Sequence, residues 1–137
     1  MIPAALSRIV RERAGDRCQY CRTSQALQGV PFHIEHLFPA SRGGPTASEN
    51  LTLICPSCNL GKAGATKVED PDSGSAFPLF NPRVDRWQDH FRVDGIEIRG
   101  KTGTGRATVV RLQMNTERRL RLRTLERALG WWPPPSR

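Results

Sequence analysis

No stretch of the 137-residue chain approaches the ~20 consecutive apolar residues that a membrane-spanning helix needs. The opening residues, from Met1 to Arg8, lack the apolar core of a secretory leader, so the expectation is a soluble cytoplasmic protein with no membrane partner. Apolar residues reach only 37% and aromatics 7%, against 12 glycines and 11 prolines. The core is therefore modest, much of the path is loop, and some staple must supplement it. The length allows one compact domain, and there is no internal repeat. Lysine is scarce too, at positions 62, 67 and 101 only, leaving 18 arginines in a chain of formal charge +8. Arginine suits bidentate phosphate contacts, so its excess motivates a nucleic-acid partner, although a genome favouring arginine codons would leave the same mark.

The four cysteines fall as Cys18-Gln19-Tyr20-Cys21 and Cys55-Pro56-Ser57-Cys58, two CxxC knuckles with none elsewhere. Each knuckle presents two thiolates from a tight turn, and the pair completes the tetrahedral shell of a closed structural Zn2+ site. Disulfides would need an oxidising compartment, and paired knuckles are unusual for a redox motif. Metal bonds supply the folding energy that a thin core lacks. The 33 residues between the knuckles exceed the spacing of a simple zinc ribbon, so the insert holds something more.

That insert alternates through Phe32-His33-Ile34-Glu35-His36-Leu37-Phe38, with Phe32, Ile34 and Phe38 on one side and His33 and Glu35 on the other, the pattern of a strand. A turn-rich loop, 40–46, leads to Asn50 and a second apolar strand, Leu51-Thr52-Leu53-Ile54, which runs into the second knuckle. Asn59-Leu60-Gly61-Lys62 then begins a short helix packed on the hairpin. In Glu35-His36, Asn50-Leu51 and Cys58-Asn59-Leu60-Gly61-Lys62, set inside the two knuckles, the chain resembles the HNH endonucleases with their ββα-metal fold. The segment from Leu79 to Phe91, with Gly105-Arg106-Ala107-Thr108 and Met114-Asn115, is similar to the tail of a bacterial HNH subgroup.

Phosphodiester hydrolysis requires a deprotonated water in line with the leaving oxygen and a cation to absorb charge on the phosphate. The resemblance implies DNA as substrate, His36 as general base, and Glu35 and Asn59 as ligands of a catalytic divalent metal. Asn50 matches the middle motif residue, implying hydrogen bonds that hold the loop so that the histidine stays aimed. Oxygen donors favour Mg2+ or Mn2+ there, separate from the zinc. The pair here is Glu35-His36 where relatives often carry Asp-His, one methylene shorter. Strand alternation sets Glu35 and His36 on opposite faces unless His36 ends the strand. His33 is a further ligand or phosphate contact, or a packing histidine. Arg42 and Lys62 are candidate DNA contacts, Lys62 being alternatively a solvated helix end.

Elsewhere, Leu6, Ile9, Val10 and Arg13 fall at helical spacing between Pro3 and Gly15, with Arg8, Arg11 and Arg13 solvated or one of them facing DNA. Residues 64–77 are polar and broken, an exposed loop. Asn81-Pro82 starts a helix bearing Val84, Trp87 and Phe91, where Asp85 and His90 suit the helix dipole rather than a site. Asp94-Gly95 marks a hairpin. Gly100 to Gly105 has neither dinucleotide-fingerprint nor P-loop spacing and connects hairpin to helix. A last helix, 116–129, sets Leu122, Leu125 and Leu129 on its buried face and Arg119, Arg123 and Arg127 on another, either solvated or part of the DNA footprint. The Trp131-Trp132 tail either docks back or stacks on bases.

The expectation is an α+β fold: a zinc-stapled ββα-metal core over residues 1–63, an exposed loop at 64–77, and a hairpin with helices packed on the core over 78–137. The implied function is metal-dependent hydrolysis of DNA, most naturally duplex. RNA cleavage satisfies the same bare chemistry, and the rival classes are a catalytically inactive nucleic-acid-binding module and a purely structural zinc protein.

Overall fold

The computed structural model describes residues 2–135. Helix α1, Ala4–Ala14, ends where Gly15 takes a left-handed conformation, φ 61°, and turns its N–H back to the carbonyls of Arg11 and Glu12. Only Val10 of its apolar stripe is fully buried. Strand β1, His33–His36, pairs antiparallel with β2, Leu51–Ile54, placing Glu35 opposite Thr52 and His36 opposite Leu51. All four residues of β2 are buried, which fits its mostly apolar sequence, and the Thr52 hydroxyl donates to the Gln19 side-chain oxygen at 2.9 Å. Phe32 and Leu37 flank β1 as its buried residues, whereas Phe38 is 45% exposed, so the alternation shifts once the strand ends at His36.

Helix α2, Pro56–Lys62, starts at the second knuckle, with Cys55 as its N-cap and Pro56 in its first turn. It packs against β1 and, at Gly61, against the end of a later helix. A Cβ on Gly61 would lie 3.0 Å from both the Arg111 carbonyl oxygen and the Leu112 Cα.

The expected loop at 64–77 is instead a small hairpin, β3 (Lys67–Glu69) with β4 (Ala76–Pro78). Asp70, fully buried, closes its turn through the amides of Gly74 and Asp72 and the Ser73 hydroxyl, and receives the Arg106 guanidinium at 3.0 and 2.9 Å. The breakers in this stretch build a turn, and Val68 is buried by it. The helix expected from Asn81 is a turn followed by one short helix, α3, Trp87–His90. Val84 is 78% exposed, while Trp87 and Phe91 pack with Phe80 and Tyr20 in an aromatic cluster. Strands β5 (Phe91–Asp94) and β6 (Glu97–Gly100) form the expected hairpin, one residue later than Asp94-Gly95 suggests, with Gly95 at φ 64° in the first loop position. Helices α4 (Gly103–Arg111) and α5 (Glu117–Ala128) complete the chain. Trp132 docks back, 3% exposed, its indole N–H donating to the Gly95 carbonyl at 2.8 Å.

Helix α5 is the largest departure. Its buried residues are Arg119, Arg123 and Glu126, while Leu125 and Leu129 are 56% and 53% exposed. Arg119 and Arg123 are thus neither a solvated face nor a DNA footprint; Arg127 alone of that stripe is exposed. Each two-stranded sheet is too small to stand by itself. Arginines supply much of the bracing by donating to carbonyls far away in sequence: Arg11 to Phe32, Arg13 to Ser48 and Leu51, Arg111 to Gly61, and Arg123 to Ile96 and Met114. Arg11 and Arg13 are accordingly half-buried rather than solvated.

Candidate functional site

The four cysteines come together as free, buried thiols whose sulfurs all lie within 4.8 Å of one another. Four thiolates about 2.3 Å from a tetrahedral Zn2+ sit about 3.8 Å apart. Cys21 Sγ and Cys55 Sγ are 3.8 Å apart, so the cluster fits that ion. The surroundings fit it as well. The Cys58 amide donates to Cys55 Sγ at 3.4 Å, and the Thr23 hydroxyl lies 2.6 Å from Cys21 Sγ.

Arg119 reaches into the cluster from α5, its guanidinium 2.8 Å from Cys58 Sγ and 3.7 Å from Cys55 Sγ. The same side chain donates to the carbonyls of Leu112 and Gln113 at 2.6 and 3.2 Å, closing the end of α4. Burial works against its charge, but the Cys21, Cys58 and Cys55 thiolates outweigh burial and raise its pKa above the ordinary value. Burial lowers the pKa of Arg123, one turn on, which is held by the carbonyls of Ile96 and Met114 and the Asn115 side chain. The sulfur cluster thus accounts for the inward turn of Arg119, carbonyls for that of Arg123, and Arg17 with the Ser24 amide for that of Glu126.

The second group of residues lies along β1 and the loop after it. Glu35 and His36 are half-buried, and β1 ends at His36. Glu35 Oε1 accepts the His36 backbone N–H at 2.9 Å, folding the carboxylate toward the strand end. His36 Nε2 lies 2.9 Å from the Thr46 hydroxyl, in the loop between β1 and β2. Asn50 organises that loop: its side-chain oxygen accepts from the Phe38 amide at 2.9 Å, and its amide nitrogen donates to the carbonyls of Phe38 at 3.1 Å and Pro45 at 2.8 Å. Gly44 is a requirement of the same loop, because a Cβ there would lie 1.9 Å from the Phe38 carbonyl oxygen.

Asn59 is on α2, half-buried, one turn before Lys62. Lys62 is neither a solvated helix end nor a surface phosphate contact. It is 1% exposed, its ammonium donating to the His36 carbonyl at 3.3 Å, and burial lowers its pKa while the Glu35 charge pulls the other way. It ties α2 to the end of β1. Arg42 is exposed, lies over the Phe38 ring at 5.2 Å and donates to the Gly64 carbonyl. His33 is exposed on β1, opposite Ile54. His90 bonds the Thr102 hydroxyl through Nδ1 and packs on Phe80.

Sequence reasoning missed Thr46 and the inward Arg119. A threonine in a turn-rich loop ten residues after the histidine carries no periodic signal, and arginine at helical spacing signals a solvated face. No helix among the described residues is long and apolar enough to cross a membrane.

A family model described as HNH endonuclease matches residues 18–63. No curated protein and no solved structure matches the chain. The matched segment opens at the first knuckle and takes in β1, the Asn50-ordered loop, β2 and all of α2. Over residues 18–63, then, this small α+β protein is similar to the HNH endonuclease family, with two CxxC knuckles gathered into one cluster of four cysteines that could hold a metal ion.

Proposed function

We propose that the protein is a metal-dependent endonuclease that hydrolyses DNA phosphodiester bonds, duplex DNA being the preferred substrate. The observation that carries this reading is the aimed histidine. His36 stands at the end of β1, and its Nε2 is engaged by Thr46 in a loop that Asn50 holds through three hydrogen bonds. With Thr46 accepting from Nε2–H, the Nδ1 lone pair takes the proton of the attacking water as its oxygen bonds to phosphorus. Asn50 acts through the loop, as a positioning residue.

The Glu35 carboxylate and the Asn59 amide oxygen are hard oxygen donors that suit Mg2+ or Mn2+, distinct from the sulfur cluster. Glu35 has one oxygen on the His36 amide, leaving the second for a ligand. Such an ion supplies charge stabilisation to the phosphate oxygens. Arg42 and Arg127, both exposed, are proposed DNA contacts. A second reading, a zinc-organised module that binds nucleic acid without cutting, draws on the longer Glu35 side chain and its turn back toward the strand.

The test is cleavage of supercoiled plasmid with Mg2+ or Mn2+, comparing the natural chain with His36→Ala of equal zinc content. A loss of about 10²-fold or more in rate is expected, the usual share of a general base. Equal cutting by both proteins overturns the assignment of His36, and absence of cutting by either under both metals leaves the binding module.

A further inference from the structure

Two of the arginines that sequence reasoning assigned to nucleic acid, Arg119 and Arg123, are spent inside the fold, but another set meets at the surface beside the first zinc knuckle. A cleft of about 320 Å³ lies between the end of α1, the first knuckle and the turn before α3. Arg13, Arg17, Arg22, Arg83 and Arg86 line it, with Asp85 its one acidic residue. Arg17 is paired with Glu126 at 3.3 Å. Among the described residues no carboxylate pairs with Arg13, Arg83 or Arg86. Arg13 donates only to neutral oxygens, those of Ser48 and Leu51. Burial and then the charge of Arg83 lower its pKa, so the two guanidinium groups stand close enough to repel.

The turn that presents Arg83 and Arg86 is built with care for a segment with little core role. Asn81 accepts from the Asp85 amide at 2.8 Å and the Val84 amide at 3.1 Å, its side chain accepts from the Arg83 amide at 2.9 Å, and Asp85 accepts from the Asn81 amide at 3.0 Å. At its far end Trp87 is buried and donates from its indole N–H to the Tyr20 carbonyl at 2.8 Å, fixing the turn to the first knuckle. Arg22 stacks over that indole at 5.5 Å. Through Asn81 and Asp85 the turn also borders a neighbouring groove, lined by Asn50, Lys62 and Phe38, which leads to the loop behind His36. The basic cleft and this groove therefore meet at Asp85, which lines both.

We infer that this arginine cleft is a clamp for the phosphodiester backbone of DNA, holding phosphates that flank the one addressed by His36. The inference rests on the nuclease reading for its substrate. Guanidinium forks suit tetrahedral phosphate oxygens, and a rigid turn presents them at low entropic cost. Contacts to the backbone position the strand without reading its sequence.

The experiment measures affinity for a short labelled duplex by fluorescence anisotropy over a potassium chloride series, without added Mg2+ or Mn2+. The natural chain is compared with Arg83→Ala/Arg86→Ala, Arg83→Lys/Arg86→Lys and Arg99→Ala, the last on β6 and paired with Asp94 and Glu97. Each phosphate contact contributes about 0.9 to the slope of log affinity against log salt, so the double alanine variant loses about 1.8 of slope. Affinity falls about ten-fold or more on every duplex sequence, the lysine pair retains most of the slope, and Arg99→Ala leaves it unchanged. A double alanine variant of unaltered slope and zinc content overturns the clamp, as does an equal loss in Arg99→Ala. Plasmid cleavage by the same proteins separates the two readings. Cutting that depends on His36 with no Arg83/Arg86 effect on slope sinks the clamp alone, and an Arg83/Arg86 effect with no cutting sinks the nuclease alone.

Discussion

Replacing Arg119 by methionine tests whether the inward charge of α5 serves the metal cluster. The exchange keeps an unbranched, largely apolar stem and removes every donor. It strips a charge-assisted hydrogen bond from Cys58 Sγ and leaves the Leu112 and Gln113 carbonyls without the guanidinium that now satisfies them. A buried acceptor left unsatisfied costs about 1–3 kcal/mol, and breaking a buried charged pair about 3–5 kcal/mol. These overlap at one side chain, so the expected loss is about 4 kcal/mol, which in a domain of this size lowers Tm by roughly 15 °C. Zinc affinity falls with it by about 10–100-fold, the usual cost of deleting a group that supports a metal ligand. Arg119→Lys keeps the charge, but a single ammonium does not span thiolate and carbonyl, and it falls between the two. The measurements are competition with a colorimetric chelator and thermal melting at fixed zinc. Arg119→Met with zinc affinity within about two-fold of the natural chain and an unchanged Tm refutes the argument, since second-sphere deletions exceed that margin.

Two further outcomes follow from the same physical reading. The Arg106 guanidinium, with the Ser73 hydroxyl and the Asp72 amide, holds the Asp70 carboxyl well below the usual carboxylate range. A depressed folded-state pKa stabilises above the unfolded value, near 4, and that stability is lost as pH falls through the acid range below it. Asp70→Asn therefore melts with a shallower dependence on pH there than the natural chain, as acid-range melting curves will register; identical slopes contradict this role. Gly44→Ala places a methyl against the Phe38 carbonyl and displaces the loop that carries Thr46. Plasmid cleavage drops by about 10²-fold, because misplacement on the scale of 1 Å is enough to disable a catalytic group, and the backbone clash, costing about 1–3 kcal/mol, lowers Tm by several degrees; full activity refutes the loop's role.

The parts of this protein that were legible in its sequence are those governed by local rules. The two knuckles are a spacing rule, the β1–β2 pair a run of apolar residues ended by breakers, and the close of α1 a glycine free to adopt positive φ. The 64–77 hairpin escaped because its polar turn is organised by Asp70, whose partner Arg106 lies 36 residues away. The helix expected from Asn81 failed for a related reason: Asn81 and Asp85 satisfy each other's backbone and leave Val84 in solvent. Periodicity failed on α5 because hydrophobicity scales assume an apolar interior, and this helix faces thiolates. Of the candidate site, Glu35, His36, Asn50 and Asn59 were marked by motif, and Asn50 has the loop contacts expected of it. Thr46 was not marked, because a hydroxyl that orients an imidazole has no signature in a single sequence. The basic residues were the least legible. Arginine at the surface and arginine tied to a distant carbonyl look identical in a sequence.

The charged seam between α5 and the cysteine cluster also sets what becomes of the protein when its metal is lost. Without the ion the four sulfurs regain their protons, and Arg119 and Arg123 are left as cations in an interior with little anion to answer them. The grip of α5 on the knuckles through Arg119 is then lost, leaving the helix to the contacts of Arg123 and Glu126. Trp132, whose ring lies under Arg123, is part of that remaining hold. If the cluster holds zinc, its loss is expected to destabilise α5 and the knuckles together rather than one knuckle alone. Supply of one ion would decide how many intact molecules a cell contains.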